Sequence, residues 1–189
     1  MKRSLVAVLL AAAAVPALQG CFPLAVTGMG AAALMAGDRR TTGIYIEDEN
    51  IEWKSLGRLS QDSRGAKVNT TSFNRHVLLT GQAPTEDEKK RIEDRVRGIE
   101  GVQRVTNELT VGPVASLATR GNDSLITSNV KARMINNAKF SPNHIKVVTE
   151  QNVVYLMGLV TPEEGDAAVE VARTGQGVSR VVKVFEYVK

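Results

Sequence analysis

Two stretches of this chain repeat one pattern of apolar and polar positions. HVLLTGQAPTEDE begins at His76 and VVYLMGLVTPEEG begins at Val153. In each, a short β-branched and aliphatic run closes on a glycine, which predicts a strand. An acid-rich segment follows. Between Pro84 and Gly101, Ile92, Val96 and Ile99 recur at helical spacing, with Glu86, Asp87 and Glu88 at the start and Arg95 and Arg97 at the end, as the helix dipole prefers. In the second stretch Ala168, Val171 and Ala172 form the apolar stripe, and Thr161 before Pro162 reads as an N-cap with proline in the first turn. Each stretch ends in a further strand, RVTNELTV or RVVKVFEYV. In the latter, Val182, Val184 and Val188 oppose Val181, Phe185 and Tyr187, so both faces need covering and one sheet is expected to pack on the other copy.

An amphipathic segment precedes each unit. In the first it is EDENIEWKSLGRLSQD, with Ile51, Leu56 and Leu59 as its apolar side; in the second it is NDSLITSNVKARMINNAKF, with Ile126, Val130 and Met134 at four-residue steps. Asp123 is expected as the N-cap of a helix over 124–140. Extended segments AKVNTTSFN and HIKVVTE come next. Aligning Gly81 with Gly158 pairs Val77 with Val154, Leu79 with Leu156 and Glu86 with Glu163, and EGVQRV meets QGVSRV further on. The repeat is therefore a helix–strand–strand–helix–strand unit of the α+β class, expected at 46–113 and 120–189. One such unit alone buries only ~60% of its chain surface, which favours two packed copies. Trp53, the only tryptophan, suits either a membrane interface or the core beside the first helix, and packing in the core or between the copies is expected.

The first residues, MKRSLVAVLLAAAAVPALQGC, have a different character. Lys2 and Arg3 precede an uncharged run, and small residues lead to Cys21. That is the shape of a signal peptide over 1–20, and the run is short for a span of ~20 residues. LQGC resembles a bacterial lipobox, which makes Cys21 the expected lipidation site and first mature residue. A lone cysteine in an exported chain has no intramolecular disulfide partner, and a lipid thioether accounts for it. Phe22 and Pro23 follow, without the Asp that retains lipoproteins at the inner membrane, so the resemblance implies the outer membrane. Residues 21–45 are expected as a tether, uncharged from Phe22 to Gly37.

Charge then narrows the partners. The chain has 24 Lys+Arg and 20 Asp+Glu. Loss of Lys2 and Arg3 leaves 22 bases and 20 acids, so most of the support for nucleic-acid binding goes with the signal peptide. Residues 46–113 carry 11 bases and 12 acids, whereas 120–189 carry 9 bases and 7 acids. The excess of bases in the second copy draws attention to its first helix.

The V-x-L-x-G strand, the turn into an acidic helix and the GVxxV entry to the last strand resemble the BON domain. Two copies behind a lipobox, with DRRTTG at Asp38–Gly43 before the first, are similar to the dual-BON-domain outer-membrane lipoproteins of Gram-negative bacteria. That resemblance implies a non-catalytic, periplasm-facing protein that binds phospholipid and supports outer-membrane integrity.

The residues suit such a partner. Over 124–140 there are three bases, Lys131, Arg133 and Lys139, and no acid. An apolar stripe with an unopposed basic face is attracted to an anionic bilayer, at ~1 kcal/mol per base. Leu125 and Ile135 lie off the Ile126–Val130–Met134 line and are placed at the lipid boundary, and Ser128 completes the candidate phospholipid-binding set. The same three bases also suit a plain solvated face. The dense EDEKKRIEDRVR of the first copy suits a salt-bridged face or a protein partner, and an adaptor binding an envelope protein is the alternative function. His76 and His144 have no ligand-spaced companions for a metal. There is no nucleophile elbow, phosphate loop or zinc-protease motif. No catalytic residue, cofactor, metal or small-molecule substrate is expected.

Overall fold

A computed structural model describes residues 37–60 and 65–188. Cys21, the expected signal peptide and residues 21–36 of the expected tether lie outside them. The first unit comprises α1 (Thr42–Ser60), β1 (Lys67–Phe73), β2 (His76–Ala83), α2 (Glu86–Arg97), β3 (Arg104–Asn107) and β4 (Thr110–Val111). The second comprises α3 (Leu117–Ile135), a 3-10 turn at Pro142–His144, β5 (Ile145–Glu150), β6 (Val153–Val160), α4 (Pro162–Arg173) and β7 (Arg180–Tyr187). The fold is α+β. In each unit the central strand pairs antiparallel with the strand before it and parallel with the strand after α2 or α4.

The central strands explain the repeated apolar phrase. β2 is buried along its whole length. Val77, Leu79 and Ala83 face a core shared with Ile51, Leu59, Ile92 and Val96 of α1 and α2. Val154, Leu156 and Val160 of β6 do the same with Ile126, Val130, Met134, Ala168 and Ala172. The alternate residues face the other way. Leu78 meets Tyr155, Met157 and Leu159, with Phe73 and Val184, in a third core between the sheets. The layers are helix, sheet, sheet, helix, and the two-faced β7 takes part as its pattern predicts: Val181 and Phe185 face the helices, Val182, Val184 and Val188 the other sheet. Burial there pushes the Tyr155 hydroxyl up to about 12.

The glycine ending each phrase marks a backbone crossing. A Cβ on Gly81 would lie 2.0 Å from the Lys67 carbonyl oxygen, and one on Gly158 would lie 2.4 Å from that of His144. Neither oxygen belongs to a side chain that can turn away, so a larger residue has no room.

A polar seam joins the sheets beside their shared core. The Gln82 amide donates to Glu150 Oε1 at 2.8 Å, and the Asn69 amide donates to Glu150 Oε2 at 3.0 Å. Gln82 Oε1 in turn accepts the backbone N–H of Ala115, in the connection between the units. Lys146 Nζ donates to Glu52 Oε1 at 2.8 Å. Buried Glu150 thus has both oxygens satisfied, as a buried carboxylate requires.

Four expectations need correcting. Trp53 is 65% exposed rather than buried, and Leu56 beside it is 59% exposed. The buried line of α1 is Ile51, Ser55 and Leu59; Ser55 fits there because its hydroxyl donates to the Ile51 carbonyl. RVTNELTV is two short strands, because the backbone turns at Glu108 and Leu109 to put Leu109 into the first core. Asp123 is not an N-cap. The helix starts seven residues before 124, at Leu117, capped by Ser116, whose hydroxyl oxygen accepts the Thr119 N–H, and ends at Ile135.

Candidate functional site

The placement of Asp123 follows from the hairpin it holds. The β5–β6 turn carries Gln151 and Asn152 at φ 48 and 66, left-handed values that a side chain makes costly. Asp123 accepts both of their backbone N–H groups, at 2.9 and 2.8 Å. It is 5% exposed. The acid of α3 is therefore spent on the fold, which leaves the helix's exposed face without negative charge.

That face brings together four of the six predicted residues of the second copy. Leu125, Ser128, Lys131 and Ile135 follow at steps of three, three and four, all exposed, with Ala132 among them. Leu125 is 71% exposed and Ile135 is 69% exposed. Ser128 donates to the Ser124 carbonyl, and Lys131 has no salt-bridge partner among the described residues. Lys139 is exposed in the turn beyond the helix, not on it. Leu117, 78% exposed, extends the stripe by two turns. Sequence reasoning missed it because Gly121 interrupts the pattern; Ser116 was the available start signal.

Arg133 sits apart, on the flank towards α4. Its Nη2 donates to Thr174 Oγ1 at 2.6 Å and its Nε donates to the Val171 carbonyl at 3.3 Å. Arg58 of α1 does the same in the first unit, donating to the carbonyls of Arg95 and Gly98 at the end of α2. Both arginines cap a helix C-terminus, where cations are favoured.

At its C-terminal end the α3 face borders a groove of about 450 Å³ between the units. Lys131, Met134 and Ile135 line one side and Tyr45, Asp48 and Glu49 of α1 the other. The segment leading into α1 straddles this region. Arg39 forms a two-pronged pair with Glu164, at 2.5 and 3.0 Å, and donates to the Leu159 carbonyl. Arg40 pairs with Asp38 and Asp48 and lies 3.9 Å above the Phe73 ring centroid. Burial raises the Asp38 carboxyl, but hydrogen bonds from Arg40 outweigh it and hold the group below the usual carboxylate range. DRRTTG is thus built into both units at its first three residues, whereas the tether was expected to run to residue 45.

His76 closes the list of candidates. It is 7% exposed, with Nε2 and Thr106 Oγ1 2.8 Å apart, and burial beside Arg104 holds its pKa below the ordinary value.

Comparison with known proteins agrees with this architecture. The BON domain family matches residues 47–113 and 122–189. The outer membrane lipoprotein DolP of Haemophilus influenzae is 39% identical over 173 residues, 90% of each chain. The 21 kDa hemolysin of Actinobacillus pleuropneumoniae is 36% identical, over 80% of each chain. The osmotically-inducible protein Y of Escherichia coli is 25% identical over 74% of this chain and 72% of its own. With the domain matched in both halves and a 39% identical lipoprotein aligned along nine-tenths of its length, the chain belongs to the BON domain family, as a lipoprotein with two copies of the domain.

Proposed function

We propose that the exposed face of α3 docks the second BON domain on anionic phospholipid. The chain is an envelope protein of the outer membrane, held by lipid and facing the periplasm. No helix among the described residues is long and apolar enough to cross a membrane. On this reading the lipid is carried by Cys21, and the domains act by binding and positioning, without turnover, in support of outer-membrane integrity.

One observation carries the reading: Leu125 and Ile135 are more than two-thirds exposed on a face that holds Lys131 and no acid. An amphipathic helix of that kind lies in the headgroup region, apolar residues inward and bases against phosphate. Each base near an anionic surface contributes ~1 kcal/mol. Lys131 and Lys139 are available for this; Arg133 is engaged by α4. A weak contact suffices where an anchor already keeps the domain close.

The test is flotation of residues 37–189, which lack Cys21, with neutral or phosphatidylglycerol-rich vesicles. Capture by the anionic vesicles alone, lost in Lys131→Glu/Lys139→Glu, is expected. Equal capture by neutral vesicles, or none by either, would refute anionic docking through α3. The latter result would leave the adaptor function as the better account.

A further inference from the structure

The α3 face is matched by a second unpartnered face, on α1, with a different composition. Ile46, Trp53 and Leu56 are 53, 65 and 59% exposed, and Tyr45 is 37% exposed. Ile46, Trp53 and Leu56 recur at spacings that put them on the side of the helix away from the buried Asp48, Ile51, Ser55 and Leu59, with Tyr45 at the edge, where it also lines the groove and meets Arg40. Three large apolar side chains on one helix face constitute a patch, not scattered exposure. Trp and Tyr are the residue types that dominate interface energies.

The charges around the patch indicate what covers it. Glu49 lies within the stripe, and no salt bridge engages it among the described residues. Glu47, Asp48 and Glu52 are paired with Arg75, Arg40 and Lys146. An anionic bilayer would oppose an acid in the middle of its contact, so the feature that suits α3 to lipid is absent here. The acids of α1 all lie between residues 47 and 52, and its bases, Lys54 and Arg58, lie in the second half. Asp48 is buried, Glu47 and Glu52 are held by Arg75 and Lys146, and Arg58 caps α2, so when two such helices lie end for end the charges left to pair are Glu49 of one and Lys54 of the other. Among the described residues Lys54 has one salt-bridge partner, the solvent-exposed Glu100 at 3.3 Å, and can exchange it. Gly57 lies on the same side, with open space where a Cβ would stand.

We infer that the Ile46–Trp53–Leu56 face of α1 is where two copies of this chain meet, helix antiparallel to helix, about a two-fold axis at Trp53. In that register each Trp53 packs on its counterpart, and Glu49 of one copy lies over Gly57 of the other, in reach of its Lys54. The contact is isologous, so it closes at a dimer and does not propagate. One helix face is a small interface, which suits chains confined to a membrane surface better than free chains. Pairing would also give the assembly two α3 faces.

The experiment uses the full-length chain reconstituted at low surface density in neutral vesicles, with zero-length carboxyl–amine cross-linking. A covalent dimer is expected for the wild type. Glu49→Lys and Lys54→Glu should each lose it, and the double swap should restore it. Trp53→Ala should weaken association about thirtyfold while leaving the melting temperature unchanged, because the side chain is exposed. Monomer throughout would overturn the inference, as would a dimer indifferent to both reversals. If Trp53 fluorescence shifts to the blue on contact with vesicles in a chain that stays monomeric, the bilayer covers this face and the inference also fails.

Discussion

Asp123 does in the second domain what Asp48 does in the first. Asp48 accepts the backbone N–H of Asn74 at 2.8 Å and of Arg75 at 2.7 Å, and Asp123 accepts those of Gln151 and Asn152. All four turn residues have positive φ without being glycine. The hairpin twist demands that conformation, and a buried carboxylate on the first helix offsets its cost. Asp123→Ala leaves two amides without a charged acceptor and should destabilise the protein by about 3 kcal/mol in thermal or urea melts. A loss under about 1 kcal/mol would mean the turn holds itself.

The two strand glycines make a sharper case. Ala at Gly81 or Gly158 places a methyl within 2.0 or 2.4 Å of a fixed carbonyl oxygen. Either substitution should abolish cooperative unfolding or prevent recovery of folded protein, as read by near-ultraviolet circular dichroism. An alanine variant at either position that melts normally would contradict the geometry.

Lys131 and Arg133 should separate by readout. Lys131→Glu should cut capture by anionic vesicles about tenfold or more and barely move the melting temperature, since it removes one attraction of ~1 kcal/mol and adds a repulsion. Arg133→Ala should do the reverse, lowering stability through the lost cap on α4 by roughly 1 kcal/mol. Equal effects of both on capture would put Arg133 at the lipid after all.

Alkaline pH tests the core between the sheets. Tyr155 ionises at about 12 in the folded chain, against 10.0 as the ordinary value. Its folded pKa is raised, so its contribution is fully present below pH 10 and is lost as pH rises from there to about 12. The loss amounts to about 3 kcal/mol. Urea midpoints should fall across that window, and Tyr155→Phe should flatten the fall.

The repeat was legible because local rules and global packing agree in it. HVLLTG and VVYLMG are short β-branched and aliphatic runs closing on a glycine, which announces a strand in each copy. Thr161 and Pro162 announce a helix start, and the capping box with Glu164 forms there. The start of α3 was not legible, because Gly121 breaks the pattern and Asp123 resembles a cap when read in one dimension. Trp53 misled for a similar reason. Size and apolarity favour burial in general, but the rotation of α1 is set by Ile51, Ser55 and Leu59, and Trp53 lies on the far side.

Read without a fold, the chain already carried the doubled unit, the order of its elements, the glycines within the central strands and the concentration of unopposed bases in the second copy's first helix. These are matters of period, turn chemistry and charge, all written within a few residues of one another. Which of those bases remain free, and which acids the fold consumes, depends on contacts between distant elements. Arg133 looks like a surface charge and Asp123 like a helix cap until α4 and the β5–β6 turn arrive beside them, and their partners lie 28 to 41 residues away. A side chain is left available for a partner only after the fold has made its own demands, and those demands come from distant parts of the chain.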